Sequence, residues 1–340
     1  MISVFTDVEI LSTKNRGKVH PLLFDLHYFE HTHPIVHKYY QLVNTIEKAD
    51  IIVFPIDYLR INTKEEQQSW KFLNHLAISN GKKLHVYTGG DYGKTFSKDY
   101  IVTWRNSGYR NTNQKDTIII PSFIADPIGI HVRQLKWIAK KEKPEISFTG
   151  FATHSRKERF RYNLSYLKNL MTSFRSLNSD RPIFFNAAKQ RFLKLKALER
   201  DQQIATRFIY RDRYRAGATS EQERQQTTQE FFDNLNNSPY AFCMRGAGNF
   251  SVRFYEALAL GRIPVLIETN NVLPLENEIN WSNHVCVIKK DESIINKLVQ
   301  FHDSCSEERF IELQQNNRKL FENYLVRHNF FYHVKNQIDV

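Results

Sequence analysis

Cysteine is scarce in this 340-residue sequence, with only Cys243, Cys286 and Cys305 present. An odd count at uneven spacing supports neither a disulfide framework nor a cysteine-held zinc site, and it fits a reducing compartment. No apolar run approaches the roughly 20 residues of a membrane-spanning helix. The opening residues, Met1 to Asp7, lack the basic and apolar segments of a secretory signal. The expectation is a cytoplasmic protein, with peripheral contact at the inner face of the cell membrane. The Asn-x-Ser sequons at Asn163, Asn249 and Asn280 then read as chance. No compact Asp-x-Asp cluster is present, so no metal is expected. Helix-turn-helix, zinc-finger and aromatic RNA-binding signatures are missing too, which argues against nucleic acid as a partner. A basic nucleic-acid-binding protein stays as the alternative of another class, on charge alone.

What the sequence does have is bulk for cores and an excess of positive charge. Twenty-five Phe, 16 Tyr and a hydrophobic fraction of 41% make wholesale disorder untenable, and the length suits two domains with a cleft between them. Forty-eight Lys and Arg against 36 Asp and Glu give +12, which calls for anionic partners. The cations are scattered: Lys136, Lys140, Lys141 and Lys143, then Arg156, Lys157, Arg159 and Arg161, then Arg207, Arg211, Arg213 and Arg215. Each cluster taken singly reads as a solvated face.

Short apolar runs at 51–54, 84–87, 117–120, 146–148, 204–209, 240–243 and 263–267 alternate with helical segments, the pattern of buried parallel strands in an α/β protein. Residues 64 to 80 are expected to form a helix stopped by Gly81. The charged stretch Trp137 to Pro144 precedes a fresh strand and marks a domain boundary. This divides the chain into 1–143, 144–310 and a terminal piece, 311–340. The spacing of Phe310, Leu313, Leu320 and Tyr324 predicts a helix over 306–332, which either completes the second domain or crosses back to the first.

The segment Arg245-Gly246-Ala247-Gly248-Asn249-Phe250-Ser251-Val252-Arg253 lies between an apolar strand and a helix that ends at Gly261. Gly246 and Gly248 allow tight turning and close backbone approach, and Asn249 and Ser251 are suited to cap the helix. A helix start of this kind favours an anion, and Arg245 and Arg253 can grip phosphate oxygens in a bidentate fashion. Glu256, one turn further on, could accept hydrogen bonds from ribose hydroxyls. The same residues also read as a capped structural helix with a surface Arg253–Glu256 ion pair, and the local chemistry leaves both readings open.

From Phe242-Cys243-Met244-Arg245-Gly246, through Ser251 to Val265 with its Glu256-Ala257-Leu258-Ala259-Leu260-Gly261 core, and on to Val272–Leu275 and Ile279–Ser282, the sequence resembles the C-terminal half of the exostosin family. Weaker echoes occur at Ala49-Asp50 to Phe54-Pro55, Gly89-Gly90-Asp91, Ile119-Ile120-Pro121 and Ile146 to Gly150, so that the resemblance spans most of residues 30 to 290. It implies an inverting, nucleotide-sugar-dependent glycosyltransferase of GT-B architecture, bacterial in type, with two Rossmann-like domains whose parallel sheets face a central cleft. Residues 1–143 would be the acceptor side and 144–310 the donor side, with Gly150 added to the donor residues. Retaining GT-B enzymes typically carry two glutamates eight positions apart. Here Gly248 stands where the first would be, which favours inversion and leaves a retaining transferase or sugar phosphorylase as the nearer alternative.

An inverting displacement needs a general base and a means of stabilising the leaving diphosphate. Asp91, following a predicted strand among three glycines, is the candidate base, with His27, Asp25 and Glu30 as alternatives and Asp57 as a minor one. Members of the family often have an Asp-His pair where this chain has Asp91-Tyr92. His27, His31, His33 and His37 form a His-rich stretch that is more simply a surface than a metal site. Arg211, Arg213 and Tyr214 lie in a basic loop able to reach donor phosphates or an anionic acceptor. The donor is expected to be a UDP-sugar, the acceptor a glycan or lipid-linked glycan, the product a polysaccharide, and no further cofactor is required.

Overall fold

The computed structural model describes residues 1–28, 32–111, 116–176, 180–181 and 183–338, the side chains of 172, 174–176, 214 and 215 excepted. The N-terminal sheet comprises β1 (Ile2–Phe5), β2 (Tyr40–Leu42), β3 (Ile51–Val53), β4 (Leu84–Thr88), β5 (Ile101–Arg105) and β6 (Thr117–Ile119), ordered β2-β1-β3-β4-β5-β6. Every pairing in it is parallel. The helices α1 (Pro21–Leu26) and α2 (Lys64–Asn80) accompany it. A capping box between Thr63 and Glu66 starts α2, and Gly81, at φ 60°, ends it in the left-handed conformation that glycine adopts without a Cβ clash.

The second sheet comprises β7 (Glu145–Phe151), β8 (Ala205–Arg211), β9 (Tyr240–Cys243), β10 (Ile263–Ile267) and β11 (Cys286–Ile288), ordered β11-β10-β9-β7-β8 and again parallel throughout. The helices α3 (Arg156–Ser176), α4 (Ala187–Arg200), α5 (Glu221–Asn236), α6 (Val252–Ala259), α7 (Ile294–Asp303) and α8 (Glu307–Leu320) belong to this half of the sequence. Two parallel sheets, each flanked by helices, form a GT-B fold of two Rossmann-like units. In the second sheet the strand order reverses between β7 and β9, and in such sheets ligands sit beyond the carboxyl ends of the strands at that reversal. Gly150 and Arg245 lie at those two ends.

The helix expected over 306–332 is broken. After α8 the chain makes a π-helical turn, Phe321–Leu325, extends at Val326 (φ −66°, ψ 139°) and starts α9 (Arg327–Val334). The break re-aims the chain toward the N-terminal unit. There Phe330 and Phe331 are completely buried, and the Tyr40 hydroxyl donates to the Phe331 carbonyl at 2.9 Å. Burial of two phenylalanines outweighs the few backbone hydrogen bonds that a straight helix would keep. Arg318 fastens the turn with a bidentate pair to Asp126 (2.6 and 2.9 Å) and a 2.6 Å bond to the Ala259 carbonyl.

Candidate functional site

The donor-side residues gather where β7, β9 and α6 meet. Arg253, in the first turn of α6, donates to the Thr149 carbonyl at 2.5 Å and lies over the Phe148 ring, 4.4 Å from its centroid. Burial pushes its pKa down from the ordinary arginine value. Gly150 is needed beside it, because a Cβ there would stand 3.0 Å from an Arg253 terminal nitrogen. The Glu256 carboxylate makes no hydrogen bond among the described residues, whereas the residue's backbone carbonyl accepts from the Leu260 N–H at 3.3 Å. Burial pushes its pKa up to about 7, against the opposing pull of Arg253. The two form no ion pair among the described residues, so the surface-pair reading of this segment does not hold.

Arg191, from α4, completes the cluster. It donates to the Phe151 carbonyl at 2.6 Å and the Arg245 carbonyl at 3.0 Å, and burial pushes its pKa down to about 10. It stays charged at neutral pH. Arg245 is buried, donates to the Tyr109 hydroxyl and the Ala247 carbonyl (both 2.6 Å), and lies over the Phe185 ring. Arg211 donates to the Thr227 carbonyl and to Glu230, both at 2.7 Å. The Nε atoms of Arg191, Arg211, Arg245 and Arg253 are buried and find no hydrogen-bond partner among the described residues. Together the four guanidiniums form a half-buried cationic cluster, and a diphosphate supplies oxygens that their remaining terminal N–H groups can meet.

Other residues of the segment have different duties. Ser251 stands at the N-cap of α6, but its hydroxyl makes no cap bond. Asn249 is buried and tied to structure. Its amide donates to the Gly108 carbonyl at 2.9 Å and accepts from the Thr269 hydroxyl at 2.6 Å. Neither Gly246 nor Gly248 adopts a positive φ. A Cβ on Gly246 would enter open space, whereas one on Gly248 would stand 2.8 Å from the Asp91 carbonyl oxygen and 2.4 Å from a Phe250 ring carbon. Gly248 is therefore a close-approach glycine, crowded by Phe250 of its own loop and by Asp91 in the turn after β4. Arg213 is exposed and packs over Gly217, while the Tyr214 side chain lies outside what is described.

Across the cleft, Asp91 follows β4. Its carboxylate accepts from the Gly248 N–H at 3.2 Å, which brings the candidate base directly to the loop between β9 and α6. Asp91 also borders a cavity of about 630 Å³ lined by Arg16, Asp57, Tyr87, Phe123 and Arg327 among others. Asp57 is buried there, accepting from the Gly89 and Leu59 N–H groups at 3.2 and 3.0 Å. Burial pushes its pKa up despite those bonds. Asp25 is buried and doubly bonded to Arg327, at 2.7 and 2.8 Å, so its carboxylate ties α1 to α9. His27 is exposed at the end of α1, and Glu30 lies outside the described residues. His33 stacks on His328, and no group of three metal-ligating side chains occurs among the described residues.

The fold and this cleft define a GT-B architecture with an arginine-rich anion corner facing a carboxylate. Residues 135–300 match the Exostosin GT47 domain, which relates the chain to those glycosyltransferases through its C-terminal unit. The echoes at 49–55, 89–91 and 119–121 fall outside that match. Similar proteins include Exostosin-1 of Drosophila melanogaster, 34% identical over 104 residues, or 31% of this chain and 13% of that protein. Another is the Exostosin-1 homolog of Caenorhabditis elegans, 32% identical over 96 residues, 28% of this chain and 25% of that protein. The chain thus spans at most a quarter of the curated relatives it matches. Among solved structures, WaaG, a glycosyltransferase involved in lipopolysaccharide biosynthesis, aligns at 10% identity over 98% of this chain and 99% of its own, with a TM-score of 0.37. Superposition at that level supports nothing further.

Proposed function

We propose that the chain is an inverting glycosyltransferase that moves a sugar from a UDP-sugar to a hydroxyl of a glycan or lipid-linked glycan acceptor in polysaccharide synthesis. Residues 144–310 hold the donor, 1–143 receive the acceptor, and 311–340 strap the two together. The observation that carries this reading is the contact between Asp91 and Gly248. It sets a carboxylate from one sheet against the loop of the other, beside the arginine corner. The diphosphate lies against Arg253, Arg191 and Arg245, which neutralise the charge that develops as it leaves, and the ribose hydroxyls donate to Glu256. Asp91 takes the proton of the acceptor hydroxyl, which reaches it through the adjoining cavity. Gly248, lacking the carboxylate of retaining enzymes, favours a single displacement. No cofactor enters this scheme, and the cytoplasm is the compartment that supplies such donors.

The test is Asp91→Asn, which keeps an oxygen to accept from Gly248 but removes the basicity. Transfer should fall about 10²- to 10⁴-fold while UDP binding is unchanged. The product from the normal protein should have inverted anomeric configuration. Transfer within a few-fold of normal would remove Asp91 as base and turn attention to Asp57. A retained configuration would overturn the inverting mechanism.

A further inference from the structure

The helix α3 presents a stripe of apolar side chains to solvent. Phe160, Leu164, Leu167 and Met171 are 64, 52, 48 and 60% exposed. Their spacing of four, three and four residues puts all four on one narrow face. Arg156 borders the stripe on one side, and Lys157, Arg161 and Lys168 border it on the other. The single acid of the helix, Glu158, lies on the half-buried side with Tyr162, Tyr166 and Asn169 and pairs with Arg161 at 2.6 Å, so that Arg156, Lys157 and Lys168 carry the flanking charge. Phe184 packs edge-on against Tyr162 and Tyr166, on the side of α3 away from the stripe.

The position of this helix is also specific. The Asn169 amide donates to the Tyr92 hydroxyl at 3.1 Å, one residue from the candidate base. Just beyond the helix, Asp180 accepts from the Thr95 N–H at 2.9 Å and pairs with Arg105 at 2.5 Å. The helix therefore belongs to the donor unit in sequence but is fastened to the acceptor unit at the Asp91–Gly93 turn.

We propose that this face of α3 docks on an anionic lipid bilayer and so holds the cleft against the membrane. The inference rests on the glycosyltransferase reading for its purpose, since a lipid-linked acceptor would then be delivered beside Asp91. Apolar residues at the centre of a helix with cations on both flanks suit the boundary between acyl chains and anionic headgroups. A second copy of the chain fits less well, because pairing this face with itself brings the flanking cations together.

The experiment is co-sedimentation with phosphatidylcholine vesicles, with and without phosphatidylglycerol, for the unmodified chain and for the exposed-face variant Leu164→Glu/Leu167→Glu. The unmodified chain should sediment with anionic vesicles only, salt should release it, and the variant should lose about tenfold or more in partitioning. UDP binding, measured without lipid, should be equal in both, which separates this proposal from the donor-site reading. Equal sedimentation with neutral and anionic vesicles, or undiminished binding by the variant, overturns the docking surface. So does a lipid-free dimer that the variant dissolves.

Discussion

Glu256 combines a carboxyl raised to about 7 with a neighbouring arginine that opposes the rise. Its folded value lies above the ordinary 4.5. Below that ordinary value both states carry the proton, whereas between the two values only the folded state does. Stability should therefore fall as pH rises through this window, and the full deficit persists above it. Glu256→Gln removes the deficit, so the variant should be about 1–3 kcal/mol more stable than the unmodified chain above neutral pH and nearly equal to it in acid. Thermal unfolding across pH would show this, and curves that run parallel at all pH values would refute the assignment. The same variant should lose UDP affinity, the trade of stability for function expected where a site keeps a buried acid. At this scale the sequence was legible in part. Arg245, Arg253 and Glu256 could be chosen from their place at a helix start. Arg191 could not, because it lies in an ordinary charged helix run, Lys189-Gln190-Arg191, and only the approach of α4 to the ends of β7 and β9 gives it a role.

In the loop from β9 to α6 the two glycines differ in their surroundings, Gly246 facing open space and Gly248 crowded. Its glycines were expected to allow both tight turning and close backbone approach to a ligand; neither adopts a positive φ, and the close approach that Gly248 makes is to Asp91 of the other unit. Gly248→Ala should push the Asp91 carbonyl and the Phe250 ring aside and cost about 1–3 kcal/mol, with loss of transfer larger than loss of UDP binding. Unchanged stability and transfer together would show that the contact is dispensable. The strands divide in a similar way. Runs such as Ile51–Val53 and Ile263–Ile267 are apolar throughout and were visible. Strand β5, Ile-Val-Thr-Trp-Arg, was not, because its polar Thr103 and Arg105 interrupt the apolar run and are buried only through bonds to residues outside the strand, Phe96, Tyr92 and Asp180 among them. The three-residue strands β2 and β11 are too short to carry a pattern at all. The break at Phe321–Val326 contains neither proline nor glycine, and its cause is the pocket that receives Phe330 and Phe331.

At the scale of the molecule, two α/β units with parallel strands were foreseeable from alternating strands and helices, but the strand order and the way the units close were not. Closure rests on side chains far apart in sequence: Arg318 with Asp126, Arg110 with Glu276 at 2.8 Å, Arg245 with Tyr109, and Asp91 with Gly248. In the proposed mechanism these contacts bring an anion held by one unit to a base held by the other. The two proposals give the excess of 12 positive charges two uses, one inside the cleft and one on the face of α3. The most direct test of the whole account is a calorimetric titration of UDP and a panel of nucleotide-sugars into the unmodified chain and Arg253→Gln. The account predicts saturable UDP binding that weakens about 10- to 100-fold in the variant, as loss of a charge-assisted phosphate contact should. Absence of binding by every nucleoside diphosphate tried, or equal affinity in both proteins, would contradict it.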